Sequence, residues 1–185
     1  MNNTDTELLN LAKDFDQTAL TNIYDRYSTA LYRYAYHQTG NQQIAEDCVS
    51  ETFSRFLKAL QNKRGPKDYL KAYLYRIAHN WITDLYRRKS STEESLNEVE
   101  FALPAENAKV EATVLKGITA ETLRQQIARL NQAQRQVIVL KHLEGLGNAE
   151  VAEIIGKNVG SVKALNSRGL NNLRKFLNED EVFLE

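Results

Sequence analysis

Residues 147–163 read GNAEVAEIIGKNVGSVK, and no other stretch of the chain limits its fold as sharply. Val151, Ala152, Ile154 and Ile155 form the apolar stripe of a short helix. Asn148 stands where its side chain can accept a free backbone N–H at that helix's start. Gly156 follows the last apolar residue, where a left-handed residue ends a helix without steric cost to glycine. A second helix begins at once, with Val159, Val162, Leu165, Gly169, Leu173 and Phe176 at three- and four-residue spacing and predicted to pack inward. Ser161, Lys163, Ala164, Ser167, Arg168 and Asn171 are left on or near the other face. Two short helices about a tight turn, the second with a small, polar and basic outer face, make a helix-turn-helix pattern. Such a second helix commonly enters the DNA major groove, where Lys and Arg reach phosphates or guanine edges and small side chains permit close approach. An amphipathic hairpin in a helical bundle, with a solvated basic face, fits the same pattern.

Composition narrows the rest. The chain has 185 residues, enough for one or two small domains, with only eight glycines and two prolines. Long runs of Ala, Leu, Glu, Lys and Gln predict an all-α protein. The single cysteine, Cys48, excludes a disulfide framework; on an apolar helical face it reads as a small buried hydrophobe. No basic-then-apolar start and no apolar run of bilayer length is present, which predicts a cytoplasmic protein without membrane insertion. His37, His79 and His142 are scattered, and neither a phosphate-cradling glycine loop nor a paired-carboxylate site is visible. No catalytic residue, cofactor or metal is therefore expected, and the chain does not read as an enzyme.

The formal net charge is zero, but the charge is not evenly spread. Residues 61–90 hold eight basic side chains against two acidic ones, a net +6, and residues 108–177 also carry +6. Acidic segments separate and flank them: −3 over 1–60, −5 over 91–107 and −4 over 178–185. A local basic surface, rather than the total, sets phosphate binding. Helical spacing runs through 8–37, from Leu8, Leu11, Ala12 and Phe15 to Leu20, Ile23, Tyr24, Tyr27, Leu31, Tyr34 and Ala35, and Gly40 ends it. A third helix follows from about Ile44 to Leu60 with Cys48, Val49, Phe53, Phe56, Leu57 and Leu60 inward. Gly65-Pro66 marks a loop, and helix returns from about Tyr69 to Lys89. Segment 91–107 is polar, acidic and thinly apolar, the composition of a linker. Helical patterning resumes from about Ala108.

The first basic block has the ingredients for single-stranded DNA. Lys63, Arg64, Lys67, Lys71, Arg76, Arg87, Arg88 and Lys89 can follow a backbone. Tyr69, Tyr73, Tyr75, Trp81 and Tyr86 can supply stacking surfaces. The bland reading of the same block is a helix whose stripe of Leu74, Ile77, Ala78, Trp81, Ile82 and Leu85 packs into a core. On that reading Trp81 is core, Tyr75 and Tyr86 are divided between core and DNA, and His79 is a phosphate contact or simply solvated.

Three motifs, in order, resemble the extracytoplasmic-function sigma factors, the small two-domain class of bacterial sigma-70-type initiation factors. They are 45–53 (AEDCVSETF), 73–80 (YLYRIAHN) with Asp84 and Arg87-Arg88, and 130–140 (LNQAQRQVIVL) followed by the helix-turn-helix. The resemblance covers about residues 16–177. The chain departs from the family at Tyr73, where many members carry Trp, and at His79, where many carry Arg. Its recognition helix, Lys163 to Leu170, has fewer arginines than most.

The resemblance implies two helical domains joined by a flexible acidic linker. Sigma region 2 would span 1–90, the linker 91–107, the region 4 helix-turn-helix 108–178 and an acidic tail 179–185. It implies docking on core RNA polymerase, on the β′ clamp helices and β flap, with Glu46, Asp47 and Glu51 as charged contacts and Phe53 as packing. It implies melting of promoter DNA at minus-10 by Lys63, Arg64, Tyr69, Lys71, Tyr73, Arg76, His79, Asn80, Arg87 and Arg88. A flipped base would sit near the 62–69 loop, and Asp84 would orient a neighbouring basic residue. Ser161, Lys163, Ala164, Ser167 and Arg168 would read minus-35. The resemblance also implies an anti-sigma factor as partner, and a free protein that is monomeric or in 1:1 complex with it. The protein would be nucleoid-associated when bound to the polymerase. Two alternatives are a sigma-like mimic that sequesters an anti-sigma factor, disfavoured by the basic 61–90 block, and a stand-alone helix-turn-helix repressor, disfavoured by the acidic motif at 46–53 together with the basic helix.

Overall fold

The computed structural model describes residues 4–92 and 120–182, and every regular element among them is helical. Helix α1 (Asp5–Lys13) starts from a reciprocal cap: the Glu7 N–H donates to the Thr4 hydroxyl and the Thr4 N–H to the Glu7 carboxylate. The chain then breaks over 14–16, with Phe15 in the left-handed region at φ +60°. Helix α2 (Gln17–Thr39) restarts at Asp16, whose carboxylate accepts the Ala19 N–H at 2.7 Å. The apolar pattern of 8–37 is thus two helices, and Phe15 lies exposed at the break between them. Gly40 ends α2 at φ +64°, and Asn41 caps α3 (Gln42–Gln61) by accepting the Ile44 N–H at 2.9 Å. This short link makes α2 and α3 packed neighbours. After the Gly65-Pro66 loop, α4 (Leu70–Thr92) closes the first half.

The first core joins Leu8 and Leu9 of α1, Ile23, Leu31 and Tyr34 of α2, Cys48 and Phe56 of α3, and Leu74, Tyr75 and Ile82 of α4. Cys48 is buried as predicted, and burial pushes its thiol up to about 12.

The second half consists of α5 (Ala120–Arg129), α6 (Gln132–Ile138), one π turn (Val139–Leu143), α7 (Asn148–Ile155) and α8 (Val159–Val182). Helix α7 is capped one residue earlier than expected. Gly147 is its N-cap, and the Glu150 carboxylate reaches back to the Gly147 N–H at 2.8 Å. Asn148, expected as the cap, is the first helical residue, and its side chain accepts from Lys141 Nζ at 2.9 Å. Gly156 takes φ +65° and turns the chain toward α8. Gly169 lets α8 approach α6: a Cβ there would lie 2.9 Å from Ile138 Cγ1. Residues 179–182, expected to begin an acidic tail, continue α8. Apart from 91–92, which end α4, the expected linker 91–107 lies outside the described residues.

The two halves pack together. Helix α4 lies against α7, and α2 meets α5 and α6.

Candidate nucleic-acid interface and protein-docking face

Helix α8 is set by the turn before it. Asn158 Oδ1 accepts the Ser161 N–H at 2.7 Å, so the helix starts under a side-chain cap. Val162 and Leu173 are buried and Leu165 half-buried, which turns Lys163, Ala164, Ser167 and Arg168 to solvent with Ser161 half-buried at their edge. Val159, expected inward, is 39% exposed, because it is the first residue of α8. Arg168 Nε donates to the Ala164 carbonyl at 3.3 Å. A cleft beside these turns is lined by Ala133, Lys157, Gly160, Ser161, Ala164 and Arg168. Lys157 was not among the expected contacts, although a basic residue in the turn itself was the available signal. Asn166 is tied away from this face, with Oδ1 2.7 Å from His142 Nε2 in the π turn.

The basic block around α4 divides three ways. Lys63, Arg64, Tyr69, Asn80, Arg87 and Arg88 are exposed. Arg87 Nη2 lies 3.0 Å from Asp84, so that carboxylate does orient a neighbouring basic residue. Tyr69, 77% exposed, precedes the helix at φ +54°, the same φ as Lys63 at the other end of the loop. Tyr73 is half-buried, edge-on to Phe56, with the Arg76 guanidinium 5.4 Å from its ring centre.

A second group turns toward the other half of the molecule. Lys71 Nζ donates to the Glu144 carbonyl at 2.6 Å, and Arg76 Nη1 pairs with Glu153 at 2.8 Å.

A third group is core. His79, expected on the basic outer face, is 8% exposed, and its Nδ1 lies 3.2 Å from the Tyr34 hydroxyl. Burial lowers its imidazole to about 4, so it is neutral at physiological pH. It follows Ala78 on the inward arc of α4, which the apolar stripe of the sequence does not reveal because His is polar. Tyr75 is fully buried and stacks on no solvent-accessible base. Trp81 and Tyr86 are half-buried against the core, and Tyr86 donates to the Gln38 carbonyl at 3.0 Å. Of the five candidate stacking rings, Tyr69 alone is exposed.

On α3 the acidic motif faces outward. Glu46, Asp47 and Ser50 are exposed and Glu51 is half-buried. Gln42 Nε2 donates to Glu46 at 2.9 Å and Gln43 Nε2 to Asp47 at 3.3 Å, each one helical turn away. Arg55 pairs with Glu51 at 2.7 Å. Phe53 is half-buried and packs on Tyr24 with ring centres 4.8 Å apart. Tyr24, counted with the apolar positions of α2, is itself exposed and lines a groove with Ser28, Tyr32, Glu46 and Ser50. Such a face repels phosphate and suits a basic protein surface.

The comparisons agree with this division. The family model Sigma-70 region 2 matches residues 23–92, and Sigma-70, region 4 matches residues 120–173. The ECF RNA polymerase sigma factor BldN of Streptomyces coelicolor is 34% identical over 181 residues, covering 94% of this chain and 66% of BldN. The ECF RNA polymerase sigma factor SigW of Bacillus subtilis is 32% identical over 183 residues, covering 90% of this chain and 93% of SigW. The chain therefore spans just under two thirds of BldN and nearly all of SigW. Among solved structures, CnrH in complex with the cytosolic domain of CnrY superposes with a TM-score of 0.70 at 25% identity, covering 95% of this chain and 98% of that one. With two family regions matched in order and a relative of this identity covered almost end to end, the chain belongs to the ECF RNA polymerase sigma factors of the sigma-70 family, alternative sigma subunits of promoter-specific transcription initiation.

Proposed function

We propose that α3, α4 with its preceding loop, and α8 divide the work of a dissociable promoter-specificity subunit. The observation that carries this reading is the polar face of α8. It is free of the rest of the protein at Lys163, Ala164, Ser167 and Arg168, with Lys157 beside it. Helix α8 reads minus-35 duplex from the major groove, with Arg168 on a guanine edge or a phosphate and the small residues permitting approach. Helix α3 docks on the β′ clamp helices through Glu46, Asp47 and Glu51, with Phe53 and Tyr24 as the apolar part, and the second half meets the β flap. The loop before α4 presents Lys63, Arg64 and Tyr69 to the opened minus-10 strand. Asn80, Arg87 and Arg88 follow its backbone, Lys71 and Arg76 join them, and Tyr73 acts through Arg76. His79 supports α4 from within.

The two regions are assigned to 1–90 and 108–178. The protein has no catalytic role of its own. It acts in the cytoplasm, at the nucleoid when in holoenzyme, and no helix among the described residues is long and apolar enough to cross a membrane. CnrH is solved with the cytosolic domain of CnrY; here an anti-sigma factor is proposed to cover the same surfaces.

The test is run-off transcription from genomic fragments with purified bacterial core polymerase, with and without this protein. Specific transcripts that vanish on Asp47→Lys or Arg168→Ala support the reading. Duplex binding without core polymerase and without any transcript would instead indicate a repressor.

A further inference from the structure

Helix α8 is joined to α6 and the π turn by three contacts in antiparallel register. Asn172 Nδ2 donates to Gln134 Oε1 at 3.0 Å, Gly169 packs against Ile138, and Asn166 Oδ1 lies 2.7 Å from His142 Nε2. The partners step back by three residues along α8 and forward by four along α6 and the π turn, which continues α6 directly. Residues at those spacings share one helical edge, so the three contacts form a single row.

The contacts differ in place. Those at Asn172 and Gly169 lie beyond the residues proposed to read minus-35, whereas Asn166 lies among them, three residues after Lys163 and next to Ser167. Among the described residues, the bond to His142 is the one side-chain hydrogen bond that ties 163–168 to another element, since the Arg168 Nε bond goes to the Ala164 carbonyl of its own helix. An amide oxygen only accepts, so His142 Nε2 carries the proton and donates. Buried Val162 and half-buried Leu165 press α8 onto its neighbours, but apolar packing is non-directional and resists rotation of the helix about its axis only weakly. A hydrogen bond is directional and fixes that rotation. His142 is exposed and Asn166 half-buried, so the bond sits at the surface rather than in the core.

We propose that His142 is a positioning residue for minus-35 readout: through Asn166 it sets the rotation of α8, and with it the aim of Lys163, Ser167 and Arg168 at base edges. Neither His142 nor Asn166 touches a base. The inference rests on the minus-35 reading of α8 given above and adds to it a residue that precedes the helix-turn-helix. Base-edge contacts need a fixed geometry, while a phosphate accepts a cation from many directions and carries no sequence information. Loss of the bond should therefore lower discrimination among minus-35 sequences more than it lowers affinity.

The test uses the full chain with purified bacterial core polymerase and a promoter recovered by run-off transcription. Competition binding against duplexes with each minus-35 base pair substituted in turn gives the discrimination ratio. His142→Ala and Asn166→Ala should each lower that ratio by about 2- to 12-fold, the span of one net hydrogen bond. The double variant should be no worse than either single one, because both remove the same interaction. His142→Gln, whose amide can donate to Asn166, should restore the ratio.

A merely structural bond would lower the urea midpoint and weaken binding to all duplexes alike with the ratio unchanged, and that result overturns the proposal. A larger loss in Asn166→Ala than in His142→Ala would put Asn166 itself on the DNA, which also overturns it. Arg168→Ala distinguishes these failures from that of the underlying reading. If Arg168→Ala lowers the ratio and the His142 variants do not, the positioning role falls and the minus-35 reading stands. If neither Arg168→Ala nor Lys163→Ala changes the ratio, the minus-35 reading falls and the positioning role with it.

Discussion

Tyr69 combines two properties that rarely meet in one side chain. Its ring is 77% exposed, and its backbone sits at φ +54°, a region bulky residues seldom enter. Neither property helps the fold, so the residue is free to serve a ligand. Tyr69→Ala should weaken capture of single-stranded minus-10 DNA by about 1–3 kcal/mol, the range for one base on one ring, while Tyr69→Phe retains binding. Thermal midpoints should barely move in either variant, since the ring packs on little; a large drop in stability would argue for a structural role instead.

The histidines make a prediction of opposite kind. Burial lowers both His37 and His79 from 6.5 to about 4. Above pH 6.5 both are neutral whether folded or not. Between 6.5 and about 4 the unfolded chain takes up protons that the native chain refuses, so stability falls as pH falls through that window. Urea midpoints measured from pH 7 to 4.5 should decline, and His79→Gln should flatten the slope. An unchanged slope would show that His79 is not the neutral buried group described.

At the scale of elements, the turn between α7 and α8 is stabilised by two residues with separate tasks. Gly156 supplies a left-handed backbone at φ +65°, and Gly156→Ala should cost about 1–2 kcal/mol for that reason alone. Asn158 caps α8, and Asn158→Ala should cost about 0.5–2 kcal/mol. Urea titration measures both, and duplex binding should weaken alongside because α8 loses its starting angle.

Much of this unit was legible in sequence, since apolar spacing and a glycine stop are local signals. Asn148 is a common capping type and points to a cap one residue late, whereas the structure uses the Glu150 carboxylate reaching back to Gly147. The break at Phe15 leaves a weaker signal: periodicity counts the ring as one more apolar position, while the capping Asp16 next to it marks the start of the second helix. On α4 the basic and aromatic residues mark one candidate surface in the sequence. Their sorting into exposed positions, core positions and the seam between the two halves depends on neighbours far away in the chain.

At the scale of the whole molecule, the seam is where the sequence was silent. Its bonds join residues such as Lys71 and Glu144, Arg76 and Glu153, or Gln38 and Arg135, and no local period links partners that distant. Arg135 shows how the seam is built. Its guanidinium donates to the Gln38 carbonyl of α2 across the seam, and to the Ala128 and Leu130 carbonyls within its own half. Burial lowers its pKa, yet it stays charged at any physiological pH, and a cation is kept there because three carbonyls receive it. Arg135→Met keeps the apolar stem and removes the donor to the Ala128 and Leu130 carbonyls, while the Gln38 carbonyl keeps its bond from Tyr86; a buried unsatisfied group costs about 1–3 kcal/mol. Because two of the three oxygens lie in the second half, that half should be destabilised more than the first. Hydrogen exchange under rising urea can resolve the halves separately. The expected result is that amides of α5–α8 open at lower urea than those of α2–α4 in Arg135→Met, while in the parent chain the two sets open together. If both sets shift equally in the variant, Arg135 stabilises the molecule only through the seam.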